Sequence, residues 1–150
     1  MTADTPRDEA KIVWPFVLAA LLSLIGLADA IYLTVQHLTG ASLRCTIISG
    51  CSEVLSSRYA QFHSIPLAAI GAAAYFLVFS LAVLAAFRYP FVRLSLMIVV
   101  ALMFLTTLWL LYLQAFVIHH FCQYCLLSAA VTTGLLVVVG LSGVRPGTPR

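Results

Sequence analysis

Ile118-His119-His120-Phe121-Cys122-Gln123-Tyr124-Cys125-Leu126 joins two long apolar runs, about 94–118 before it and about 122–141 after it. Each run is long enough to cross a bilayer, for which about 20 apolar residues suffice in a helix. The joint itself holds Cys122 and Cys125, about one helical turn apart and close enough to form a disulfide or to share a metal. Their placement puts a thiol pair at the mouth of a membrane helix. A lipid-soluble oxidant can reach it from one side and a partner in water from the other.

Composition agrees with a chain built for lipid. Of 150 residues 63% are hydrophobic and 9% charged, against roughly half and a quarter in soluble domains. The length allows one domain. The formal charge of +3 is spread out, with no basic stripe of the kind that binds nucleic acid.

Residues 1–11 are polar and mixed in charge and read as a cytoplasmic tail. The first apolar run covers about 12–36. Ala28-Asp29-Ala30 resembles a signal cleavage site, but the apolar stretch before it is too long and the stretch after it stays apolar. The run reads as an uncleaved span, with Trp14 and Tyr32 as interfacial anchors. The stretch 37–64 is polar and holds Cys45 and Cys51. Cys51, Val54, Leu55 and Tyr59 recur there at helical spacing, which predicts a short amphipathic helix on the membrane surface. Ser64-Ile65-Pro66 opens the second span, about 65–87, with Ser64 a candidate cap. A tight basic turn leads to the third span, about 94–118, and the fourth covers about 122–141. A second cytoplasmic tail, 142–150, ends the chain. The expected fold is an all-α integral membrane bundle of four helices over 12–141, with an outer loop carrying a short amphipathic helix.

Four spans place both termini on one side. Arg7, Lys11, Arg88, Arg93, Arg145 and Arg150 fall on that face, and Arg44 and Arg58 on the other. The positive-inside rule then puts the termini in the cytoplasm and all four cysteines on the outer side of the plasma (inner) membrane. Disulfides persist on that side.

Two cysteine pairs at one end of a bundle admit three readings. They can be structural bridges, though a helix bundle in lipid has little need of staples. They can hold zinc with His119 or His120, though the Cys45–Cys51 spacing is loose for that. They can do redox chemistry, which the division of labour favours. A C-x-x-C pair at a helix N-terminus has its thiolate stabilised by the helix dipole. A second pair on a loop can move between a bulky partner and the inner pair.

The chain resembles the vitamin K epoxide reductase family in its bacterial form. The resemblance is carried by Gly26-Leu27 and Tyr32-Leu33-Thr34, then by the loop stretch from Cys45 through Cys51 to Ser56-Ser57. Ile65-Pro66-Leu67, Gly71 and Cys122-Gln123-Tyr124-Cys125 complete it. The order of the pairs is reversed in the unrelated DsbB type. Ser64 departs from the pattern, which usually has glycine before the Ile-Pro or Val-Pro pair.

The resemblance implies a thiol oxidase that reduces a quinone of the ubiquinone or menaquinone (vitamin K) type, without a metal. It implies that Cys45 and Cys51 are the shuttle pair and that Cys122 and Cys125 are the active-site pair beside the quinone. Cys45 takes the mixed disulfide, Cys51 attacks Cys122, and Cys125 passes the electrons on. Ser57 matches a loop serine or threonine near the quinone head, and Phe121 and Tyr124 are placed to line its slot. Many bacterial members carry a fused thioredoxin-like domain. This chain stops nine residues after Leu141, so a separate, DsbA-like thioredoxin-fold partner is expected on the outer face. The alternatives are vitamin K epoxide or quinone reduction on the same residues, and a non-enzymatic membrane protein with structural disulfides or zinc.

Three further features bear on proton handling and packing. Asp29 is the acid deep within a span, and it reads either as a hydrogen-bonded helix contact to a Ser, Thr or Tyr or as a proton source for the quinone. His119 and His120 flank the motif, and on a helix only one of them could face the pocket, as part of the same proton relay. Trp109, Tyr112 and Phe116 recur at helical spacing, a packing row or a slot lining.

Overall fold

The computed structural model describes residues 6–40, 50–87 and 89–143. Cys45 lies outside them, as do Arg44, Arg88, Arg145 and Arg150 of the charge argument. The elements are α1 (Pro6–Thr39), α2 (Cys51–Ser56), β1 (Gln61–Phe62), β2 (Ile65–Pro66), α3 (Leu67–Ala86), α4 (Pro90–Leu113) and α5 (Gln123–Gly143). A 3-10 turn, Arg58–Ala60, follows α2, and a π turn, Gln114–Ile118, extends α4. Four segments are long and apolar enough to cross a membrane: Val13–Thr39, Leu67–Ala86, Phe91–Ile118 and Gln123–Ser142. Helix α1 starts within the stretch read as a tail. Its first residue is Pro6, whose missing N–H costs nothing at that position.

The helices pack in a ring, α1 on α3 and α5, and α4 on α5 and α3. Small residues let them approach. Ala19 and Ala30 of α1 and Ala82 and Ala85 of α3 are buried in the shared core. Gly26 takes this furthest, since a Cβ there would overlap the Tyr75 ring. The ring therefore lies directly on the α1 backbone. Its hydroxyl crosses to α5, donating to the Ser128 carbonyl at 3.1 Å and meeting Ser128 Oγ at 2.7 Å and Thr132 Oγ1 at 3.0 Å. One side chain thus ties three helices together.

Many large apolar side chains face outward, among them Leu24, Phe76, Leu102, Leu105 and Val137. Lipid, rather than a protein core, receives them, which is why α3 and α5 are apolar all round. Trp109, Tyr112 and Phe116 belong to this outward face. Trp109 stacks on Tyr112 at 5.9 Å, Phe116 tilts against Tyr112 at 5.0 Å, and all three are exposed to the bundle's surroundings.

One end of the bundle carries the connecting structure. Helix α2 buries Cys51 and Val54, so its apolar side meets the bundle end. Next comes a two-residue hairpin with Gln61 opposite Pro66 and Phe62 opposite Ile65. Its turn residues His63 and Ser64 both have positive φ, 52° and 71°. Ser64 is therefore a turn residue and does not cap α3, which starts after Pro66 without a side-chain cap.

Candidate active site

The geometry around the cysteines starts with how α4 ends. The π turn begins at Gln114, and His119 at φ 58° stops the helix. The chain then crosses to α5 through residues 119–122. The carbonyl of Cys122 accepts the N–H of Leu126 at 3.0 Å, which makes Cys122 the cap residue of α5.

Its sulfur does what a capping oxygen does elsewhere. Cys122 Sγ receives a hydrogen bond from the Cys125 thiol and from the backbone N–H groups of Cys125 and Tyr124. The Cys125 thiol contributes most, and burial opposes it. Together they bring the Cys122 thiol down from 9.0 to about 7.

Cys122 is fully buried and packs against Cys51 and Val54. Cys51 is disulfide-bonded, whereas Cys122 and Cys125 are free thiols. The close approach needs glycine at the start of α2. Gly50 has φ 141°, and a Cβ there would stand 3.0 Å from the Phe121 carbonyl and 3.1 Å from His120 Cβ.

One turn further on, Cys125 packs on the same cluster and also lines a cavity of about 160 Å³. Leu33, Pro66, Leu67, Leu110 and Leu111 supply much of its apolar wall. Its polar groups are few and mostly engaged. Ser57 Oγ donates to the Val54 carbonyl at 2.7 Å, and Thr107 Oγ1 to that of Met103 at 2.8 Å. Tyr75 is held by Ser128 and Thr132. Asp29 also lines the cavity, is 8% exposed, and has no hydrogen-bond partner for Oδ2 among the described residues. The helix contact expected for it is not what that oxygen makes.

The sequence reading missed Gln114. It is buried, lines the cavity and touches both cysteines. Its Oε1 accepts the Cys122 N–H at 3.2 Å, and its side chain also hydrogen-bonds Cys125. The available signal was a lone amide within an apolar run, eight residues before Cys122.

Several expected residues stand elsewhere. Phe121 is exposed and is not among the residues lining the cavity. Tyr124 is turned about 100° from Cys125 on α5 and packs on Tyr32 of α1 at 5.3 Å, so it does not line it either. His119 and His120 are exposed, lie before α5 rather than on it, and do not line the cavity. Ser57, Cys125 and Asp29 do. Among the described residues no three metal-binding side chains gather.

Four membrane-length helices around a cavity with one cysteine of a C-x-x-C pair in its wall form the framework of a membrane oxidoreductase. The chain matches the sequence model of the Vitamin K epoxide reductase family over residues 17–139, most of its length, and belongs to that family. The family is quinone-linked, and the cavity fits such a group. Apolar walls suit a flat ring, and Asp29, as the acid, has an O–H that could donate to a ring carbonyl.

Proposed function

We propose that this protein oxidises the dithiol of a separate thioredoxin-fold, DsbA-like protein and passes two electrons to a quinone, in support of disulfide formation. The loop end faces outward from the plasma membrane and the termini face the cytoplasm, as the charge distribution favours. One observation carries the reading: Cys122 packs on disulfide-bonded Cys51 while Cys125, a turn away, faces the cavity.

The steps balance as thiol exchange. A thiolate of the partner attacks Cys45 of a Cys45–Cys51 bridge and releases the Cys51 thiolate. Cys51 attacks Cys122 of the oxidised inner pair and releases Cys125. The partner's second thiol then displaces Cys45, and Cys45 reclaims Cys51. Cys122 leaves readily in that step because its thiolate is stabilised by the Cys125 thiol and the start of α5. A bridged Cys51 beside free Cys122 and Cys125 is the state with the electrons on the inner pair. When bound, the quinone accepts two electrons and two protons. Cys125 stands at its wall, Gln114 holds both cysteines in register, and Ser57 offers its free lone pair as an acceptor.

The test uses purified protein in detergent, a reduced thioredoxin-fold protein and a soluble quinone followed by absorbance. The natural chain consumes quinone, and Cys45→Ala, Cys51→Ala and Cys125→Ala do not. A small dithiol restores turnover in the two loop variants alone. A folded natural chain that consumes no quinone with any dithiol would falsify the reading.

A further inference from the structure

Helix α1 turns one face to the cavity. Asp29, Leu33 and His37, at positions i, i+4 and i+8, all line it. Asp29 is the deep end of this row. It lies ten residues before the helix end at Thr39, roughly 15 Å along the axis. His37 is at the mouth, where Gln61 Nε2 donates to its Nε2 at 2.7 Å.

The other buried polar side chains of the wall have partners. Tyr75 is satisfied across α5, and Gln114 by the cysteines. Asp29 Oδ2 is the one buried side-chain oxygen among the described residues without a partner. An acid in that position costs free energy unless something completes it. Among the described residues no Lys or Arg lines the cavity, and the acid form suits a buried oxygen without a partner there. The titratable groups that share the wall with it are His37 of α1, Tyr59 of the loop, Tyr75 of α3 and Cys125 of α5. Helix α4 contributes only Thr107 and Gln114 as polar groups. Asp29 is also within electrostatic reach of Cys122.

We propose that Asp29 hydrogen-bonds an oxygen of the quinone in this cavity and gives it a proton. The proposal rests on the quinone-reducing reading above. The balance is direct. Closing the Cys122–Cys125 disulfide releases two electrons, and the acceptor needs two protons. Asp29 gives up one proton and is recharged by the Cys125 S–H proton as that sulfur enters the disulfide. The Cys122 thiol, brought down to about 7, gives its proton to water above that pH. The second proton returns from water at the His37 mouth.

Two readouts test this, one of them independent of turnover. Infrared difference spectra on adding a soluble quinone to the protein should show a shift of a protonated carboxyl C=O stretch, absent in Asp29→Asn. In single turnover, pre-reduced Asp29→Asn should reduce quinone roughly 100-fold more slowly or worse, the loss typical of a missing general acid. Reduction of its inner pair by the protein partner, measured without quinone, should be unchanged. Asp29→Glu, which keeps the acid, should recover much of the rate and serves if Asp29→Asn does not fold. A natural quinone-reduction rate in Asp29→Asn, or no carboxyl shift in the natural chain, would overturn this proposal alone. Absence of quinone reduction by the natural chain would overturn the oxidase reading with it.

Discussion

The side-chain carbonyl of Gln114 accepts the backbone N–H of Cys122 at 3.2 Å, from the first residue of a π turn. The widened turn carries an amide to the place where α5 begins, and its other end reaches Cys125. Gln114→Leu should therefore do two things. It leaves the buried Cys122 N–H unsatisfied, at a cost of about 1–3 kcal/mol in stability. It also removes a hydrogen bond to the Cys125 sulfur, which favours the reduced pair. The reduction potential of the inner pair should then fall, by about 30 mV for each ~1.4 kcal/mol lost. Glutathione titration of the purified variant reads this, and a purely structural role would leave the potential unchanged.

The Cys122 thiol should titrate near neutrality. The Cys125 thiol and two helix-start N–H groups bring it from 9.0 to about 7 in the reduced protein. Absorbance of the thiolate, taken as the difference from Cys122→Ala, should rise with a midpoint near that value. In Cys125→Ala the midpoint should move up, because the largest cause is gone. The folded value lies below the unfolded one, so the thiolate's contribution is full above pH 9.0 and is lost as pH falls through about 7. A midpoint unmoved by Cys125→Ala would show that the Cys125 thiol does not set it.

The four spans were legible because lipid demands long apolar runs, and the cysteine pair was legible because its spacing is chemical. Which face of each span turns inward was not. In α4 the aromatic row Trp109, Tyr112 and Phe116 draws the eye, yet Thr107, Leu110, Leu111 and Gln114 line the cavity. A helix apolar all round carries no phase in its hydrophobicity, so its few small or polar residues set its rotation. Tyr124 stands off the cavity for a related reason, and Phe121 lies before α5 begins. Neighbours in sequence to a reactive cysteine diverge by about 100° once the helix starts. The Tyr75 contact on Gly26 needs α1 and α3 side by side, which no local pattern reveals.

Gly50→Ala should separate the two halves of the proposed relay. Its φ of 141° disfavours a side chain, and the added Cβ would stand 3.0 Å from the Phe121 carbonyl. Both effects push α2 off the segment before Cys122. Turnover with a protein dithiol should fall by at least tenfold, while quinone reduction driven by a small dithiol persists. Equal losses with both reductants would mean that the substitution disrupts the cavity as well.

Ser64→Gly should stabilise the protein. His63 and Ser64 form a two-residue hairpin turn with φ of 52° and 71°, the mirror-image turn that favours glycine or asparagine. An L side chain in that region costs roughly 1–2 kcal/mol, of which glycine returns part through a more flexible unfolded chain. The hairpin carries Pro66 onto the cavity wall and sets where α3 begins, so relieving the turn should not move the site. Ser64 is exposed, and no packing contact is lost with its hydroxymethyl group. The net expectation is a gain of about 0.5–1 kcal/mol in detergent-solubilised thermal or urea unfolding, with quinone turnover unchanged. A loss of stability would mean that the Ser64 side chain makes a favourable interaction large enough to outweigh the strain of its backbone.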